Sequence, residues 1–174
     1  MKTSACIDAL YGEIPFLDRF QAAKDDGFDA VEFWGWPEKD LNAVKEAAEK
    51  TGIQMNLEGL NITTDHVGNF LKYTSDAAEM IRLIGSPKLK VLYDAYHMQI
   101  NEGCICDTIR NFGDTFGHVH IADAPGRHEP GTGEIYYPRV YKALEEVGYQ
   151  GYVGYELFPA TTTAEAVKAI FTLV

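Results

Sequence analysis

Strand-like and helix-like segments take turns along this chain with little between them, and this alternation restricts its fold more than any other feature. TSACIDAL (3–10) reads as a strand, and IPFLDRFQAAKDDGF follows with Leu17, Phe20 and Ala23 at helical spacing and Gly27 as a stop. DAVEFWGW (29–36) reads as a second strand. PEKDLNAVKEAAEKTG then reads as a helix, with Pro37 near its start, Leu41, Val44 and Ala48 on one face, and Gly52 at its end. IQMNLEGLNI (53–62) is the third strand-like run. TSDAAEMIRLIG continues as a helix, with Thr74, Ser75 or Asp76 available as cap and Gly85 as exit. LKVLYDAYHM (89–98), GHVHIAD (117–123) and GYVGYEL (151–157) complete six strands, separated by the helices CDTIRNFGDTF and YPRVYKALEEVG. The last helix opens at TTAE, where Thr162 and Glu165 fit a capping box.

Alternation of this kind implies parallel strands joined by right-handed helical crossovers. The strands are apolar along both faces, as parallel strands covered on both sides are. No shift in composition marks a linker, so residues 1–174 read as a single domain. With 174 residues, 46% of them hydrophobic, the chain can bury one core and is short for two. Six βα units are visible, against eight in a complete (β/α)₈ barrel of about 250 residues.

Several function classes are disfavoured. No apolar run reaches the roughly eighteen residues of a membrane span. Asp8 and Glu13 interrupt the N-terminus too early for a secretory signal, so a cytoplasmic protein is expected. Cys6, Cys104 and Cys106 form an odd set with no C-x-x-C pair, which reads as small, partly buried thiols. A formal net charge of −11 sets the chain against a phosphate backbone, so no nucleic-acid partner is expected.

Four of the six strands finish in a residue that binds metals or moves protons: Glu58 in NLEGLN, Asp94 in LYDAYH, His120 in HVHIAD and Glu156 in GYELFP. In parallel α/β folds ligands bind beyond the carboxyl ends of the strands. Taken singly, Glu156 could pair with a basic residue and Asp94 could cap a turn. Together, three carboxylates buried after apolar runs cannot satisfy one another, whereas a divalent cation among them would. His118 and His120 share a face, being two apart, and His120 is nearer the strand's end. Three carboxylates and an imidazole suit Mn²⁺ or Mg²⁺, with Co²⁺ and Zn²⁺ as further candidates.

The segments YDAYHMQINEG, GHVHIADAPGRHEPGTGEI and GYVGYE resemble, almost segment for segment, the hydroxypyruvate isomerase family. That family lies among the xylose-isomerase-like TIM barrels, with the ketose 3-epimerases and endonuclease IV. PFLDRFQAAKDDGFDAVEFW resembles its first βα unit. The resemblance implies one divalent metal held by Glu58, Asp94, His120 and Glu156, with Glu58 and Glu156 exchanging the substrate proton from opposite sides. It implies substrate contacts from His97 and Arg127, with Glu129 as a further candidate. Hydroxypyruvate isomerases often carry Gln where this chain has His120, whereas the epimerases carry His. Trp34 and Trp36 could wall the pocket or simply pack.

One departure stands out. KTGIQM resembles the start of the family's third strand, and NLEGLNITTDHVGNFL its fifth strand and loop. About two βα units are absent between them, which points to a deletion or missing segment near 55–57. The expectation is therefore an incomplete barrel whose open edge favours a partner copy of the chain. The expected activity is a metal-dependent aldose–ketose-type isomerisation of a small carbonyl or sugar-acid substrate, such as hydroxypyruvate to tartronate semialdehyde, through an enediolate. The alternatives are a ketose 3-epimerase and a catalytically inert remnant that binds metal or sugar.

Overall fold

Parallel pairing alone joins the strands of this protein. The computed structural model describes residues 2–7, 9–32, 55–85, 87 and 89–173. Within them β1 (Lys2–Cys6), β2 (Ala30–Glu32), β3 (Met55–Glu58), β4 (Leu89–Asp94), β5 (Phe116–His120) and β6 (Tyr152–Tyr155) form one sheet. Its order is β2-β1-β6-β5-β4-β3. The intervening helices are α1 (Phe16–Asp25), α2 (Thr74–Ile84), α3 (Ala95–Asn101), α4 (Ile105–Phe112) and α5 (Tyr137–Glu146), and α6 (Thr163–Leu173) follows β6. This is the parallel α/β arrangement that the alternation implies, in keeping with the xylose-isomerase-like barrel that the resemblance implies. Among the described residues β2 and β3 end the strand order, and no pairing joins them. The expected helix over 37–52, Trp34, Trp36 and residues 53–54 lie outside the described residues.

Register decides what meets at the carboxyl end. Val91 lies opposite Phe116, but a slip of one residue then sets Leu92 opposite His118 and Asp94 opposite His120. Without the slip Asp94 would oppose Val119, and its side chain and that of His120 would leave the sheet on different faces. His120 in turn lies opposite Gly154, so β4, β5 and β6 stay adjacent and deliver their ends side by side.

Packing behind the sheet is apolar and close. Tyr93 and Phe116 stack with centroids 4.7 Å apart. Ile109, Leu144 and Ile170 are fully buried. At Gly113 a Cβ would come within 2.7 Å of a Val147 methyl, so the turn after α4 passes α5 at a distance no larger residue permits.

Two local expectations are corrected. Residues 95–98 do not extend the strand but begin α3, because Asp94 Oδ1 accepts the backbone N–H groups of Tyr96 (2.8 Å) and His97 (3.1 Å). That is N-capping, and it turns the chain at the strand's last residue. Helix α2 is not capped by Thr74, Ser75 or Asp76. Its N-cap is Tyr73, and the carboxylate of Glu102 reaches across to the Thr74 N–H (3.3 Å) and hydroxyl (2.6 Å). Gly85 does end α2 in the left-handed conformation, with φ 64°.

The segment between β5 and α5 is organised around Asp123, which is fully buried. Its Oδ1 accepts from the N–H groups of Ala124 (3.0 Å) and Ile135 (3.0 Å), and its Oδ2 from that of Gly131 (2.8 Å). The loop is thereby tied end to end, and it can hold Arg127 at φ 57°, a left-handed conformation that costs a non-glycine residue about 1 kcal/mol. Asp123→Ala would strand three backbone donors. We expect a loss of about 3 kcal/mol of stability by chemical denaturation, and a loss below about 0.5 kcal/mol would contradict this role.

Candidate metal centre

Each residue singled out at a strand end occupies the carboxyl edge of the sheet. Glu58 ends β3, Asp94 ends β4, His120 ends β5 and Glu156 directly follows β6. One potential ligand atom from each of the four lies within 4.8 Å of those of the others. Asp94, His120 and Glu156 are buried, at 1%, 5% and 7% exposure. The side chain of Glu58 keeps 27%.

Like charge dominates this point. Two carboxylates about 4 Å apart repel by on the order of 4 kcal/mol at an effective dielectric constant of about 20. Burial, reinforced by the charges of Asp94 and Glu156, pushes the Glu58 carboxyl up to about 8, and neighbouring His120 and Arg127 pull it only partly back. Glu58 Oε1 is buried and has no hydrogen-bond partner among the described residues. His120 Nδ1 lies 3.2 Å from Glu156 Oε2 and 3.9 Å from Asp94 Oδ2. Positive charge comes from Arg127, whose Nη2 donates to Asp94 Oδ2 at 3.1 Å and to Glu156 Oε2. Even with Glu58 protonated, Asp94 and Glu156 against one guanidinium leave an excess of negative charge, and the set is oxygen-rich with one imidazole. Such a group could hold a divalent cation, and hard cations match it best.

The remaining predicted residues divide. His97 is 1% exposed, and its Nε2 lies 3.0 Å from Arg127 Nη1, 3.6 Å from Asp94 Oδ2 and 3.9 Å from Glu58 Oε1. Burial holds its imidazole below the ordinary value, with the Asp94 charge opposing the shift and a smaller contribution from the Arg127 charge adding to it. Arg127 also stacks over the Tyr96 ring at 4.9 Å. Its guanidinium thus rests on the carboxylates instead of projecting from the loop, because they are the nearest uncompensated charge. Glu129 does not join the four. It is 6% exposed, and its Oε2 accepts the N–H of Ala160 at 2.9 Å, which fastens the β5–α5 loop to the segment after β6.

Sequence reasoning passed over Asn61, Asp65 and Tyr96. The Asn61 side chain donates to Asp65 Oδ2 (2.8 Å) and reaches His97 Nδ1 (2.7 Å), and the Tyr96 hydroxyl donates to the same Asp65 oxygen (2.8 Å). The only signal in the sequence is the position of Asn61 three residues after Glu58.

A raised carboxyl has a definite consequence for stability. Between about 4.5 and about 8 the folded chain keeps a proton on Glu58 that the unfolded chain releases, so this group's contribution to stability falls as pH rises through that window. A bound cation favours the ionised form, so its stabilising effect grows over the same window. The difference in Tm between Mn²⁺ and chelator should therefore be larger near pH 8 than near pH 6, and Glu58→Gln should flatten it. Equal differences at both pH values would contradict the placement of Glu58.

Comparison with known proteins identifies the family and the fold. Residues 38–173 match the family model described as xylose isomerase-like TIM barrel. Over 142 residues, 82% of this chain and 55% of the relative, the sequence is 37% identical to the hydroxypyruvate isomerase of Escherichia coli strain K12. The chain spans about half the length of the first curated relatives it matches. A 2-oxo-tetronate isomerase of Pectobacterium atrosepticum is 25% identical, with 94% of each chain covered, and that alignment runs over 249 positions. This exceeds the 174 residues of the chain, so the alignment opens gaps within it. Among solved structures, one titled AP endonuclease, family 2, from Brucella melitensis superposes with a TM-score of 0.87 at 23% identity, covering 99% of both chains. That likeness concerns the fold, and it extends over a chain of nearly equal length.

Proposed function

Since the chain belongs to the xylose isomerase-like TIM barrel family, we propose that it is a divalent-metal-dependent isomerase that moves a carbonyl between adjacent carbons of a small hydroxy or oxo acid. Hydroxypyruvate, giving tartronate semialdehyde, is the first substrate to test. The observation that carries the reading is the meeting of two glutamates, Glu58 and Glu156, with Asp94 and His120 at one point on the carboxyl edge. The names of the hydroxypyruvate and 2-oxo-tetronate isomerases support the substrate class.

Glu58 and Glu156 come from strands separated by β4 and β5, so they reach the centre from different sides. One removes a proton from the hydroxyl-bearing carbon, and the other returns a proton to the former carbonyl carbon. The hydroxyl proton passes between the two oxygens, so the product is an isomer with nothing gained or lost. A divalent cation held by Glu58, Asp94, His120 and Glu156, with Mn²⁺ or Mg²⁺ best matched, would stabilise the charge developing on the substrate oxygens. His97 and Arg127, both beside the cluster, hold substrate oxygens in register.

Two other readings have a specific observation behind them. His120 stands where ketose 3-epimerases carry His, and epimerisation at C3 uses the same proton transfer, so ketohexoses belong in the same assay. The gapped alignment with the longer isomerase, with β2 and β3 not paired to each other among the described residues, supports a barrel lacking an internal segment. In that case a second copy of the chain would cover the open edge. Nuclease activity is disfavoured by the net charge of −11. Among the described residues no helix is long and apolar enough to cross a membrane.

With Mn²⁺ present the chain should convert hydroxypyruvate, and chelation should abolish turnover. Glu156→Gln should lower kcat by about a hundredfold or more, with a smaller effect on KM. Arg127→Ala should act chiefly by raising KM. A chain that binds Mn²⁺ but turns over neither the acids nor the ketohexoses would establish the remnant reading instead.

A further inference from the structure

His97 has hydrogen-bond donors at both ring nitrogens, two from Asn61 at Nδ1 and one from Arg127 at Nε2, and the tautomer that accepts at Nδ1 opposes fewer of them. The backbone N–H of Asn61 lies 3.2 Å from His97 Nδ1, and the Asn61 side-chain Nδ2 lies 2.7 Å from the same atom. A backbone N–H can only donate. The orientation of the side-chain amide is equally settled, because Asn61 Oδ1 accepts the backbone N–H groups of Thr64 (3.1 Å) and Asp65 (3.2 Å) and the Thr64 hydroxyl (2.8 Å). Its Nδ2 is left to face His97 and Asp65. Asn61 is fully buried, so no solvent rearrangement relieves this geometry. Nδ1 of His97 is therefore an acceptor, and the ring proton belongs on Nε2. The opposite tautomer would set an N–H against two donors.

We infer that Asn61 is a positioning residue that fixes His97 with its Nε2–H pointing into the carboxylate cluster, so that His97 meets the substrate as a hydrogen-bond donor. The inference rests on the isomerase reading above for what that donor does. The oxygen it contacts must be an acceptor, a carbonyl or a deprotonated oxygen, and not a hydroxyl that offers its own proton. The same tautomer shows that the Arg127 Nη1 to His97 Nε2 approach of 3.0 Å brings two donors face to face.

Nitrogen-15 NMR of the histidine side chains tests this on the full chain near neutral pH, with a His97→Gln spectrum to assign the signals. The expected pattern is a pyridine-like Nδ1 and a protonated Nε2 for His97. Asn61→Asp keeps the shape but replaces the amide donor by an acceptor, so it should draw the proton to Nδ1. Asn61→Ala removes the side-chain donor and should leave a mixture. Both should lower kcat by about ten- to a hundredfold, less than or equal to the loss of one oxyanion donor, with KM changed by less than about threefold. A His97 protonated at Nδ1 in the unaltered chain would overturn the inference. So would an Asn61→Asp variant that loses thermal stability but keeps the Nε2 tautomer, or one that loses the tautomer and keeps its kcat. Absence of turnover in the unaltered chain would count against the isomerase reading alone, and the tautomer measurement would still decide the role of Asn61.

Discussion

Mutual repulsion among three carboxylates at the end of one sheet is the constraint around which the rest of this protein is arranged. Glu58, Asp94 and Glu156 converge within a few ångströms of one another and of His120. Burial removes the water that would screen them, and each like-charged pair then stands on the order of 4 kcal/mol above its separated state. The structure answers in three ways. Arg127 is folded back onto Asp94 and Glu156. Glu58 holds its proton to about 8. The remaining negative charge is left for a cation. None of these responses stabilises the fold on its own account, and a chain free of function would do better with apolar residues at the same positions.

The scaffold supplies the precision that this crowding demands. One residue of slip between β4 and β5 puts Asp94 and His120 on the same face. Asp94 then serves two purposes with its two oxygens. Oδ1 caps α3, which places His97 one turn on, and Oδ2 turns to the centre. The loop carrying Arg127 is pinned by Asp123 beneath it and by Glu129 at its side. Asn61 braces His97 from behind. Loss of any one brace would loosen a first contact without removing it, which is why supporting residues matter beyond their own small energies.

Much of this was legible in the amino-acid sequence, for a physical reason. A parallel strand buried on both faces has to be apolar, so a carboxylate or imidazole at its end stands out against the run before it. Glu58, Asp94, His120 and Glu156 were found by that contrast. Asn61 was not, because a polar residue in a polar loop offers no contrast, and its importance lies in which N–H faces which ring nitrogen. The helix at 95–101 was hidden because YDAYHM is as apolar as a strand, and only the capping role of Asp94 separates the two conformations. That Arg127 pairs with Asp94 and Glu156 is set by a balance of charge that periodicity does not report.

Mn²⁺ titration followed by the electron paramagnetic resonance signal of the free ion addresses the cation site itself. The expected result is one Mn²⁺ bound per chain, displaced by Mg²⁺ at higher concentration. Binding should be lost when Glu58, Asp94 and Glu156 are replaced together by their amides. Retention of one Mn²⁺ per chain by that triple variant, or no bound Mn²⁺ in the unaltered protein, would contradict a metal centre at the ends of β3 to β6.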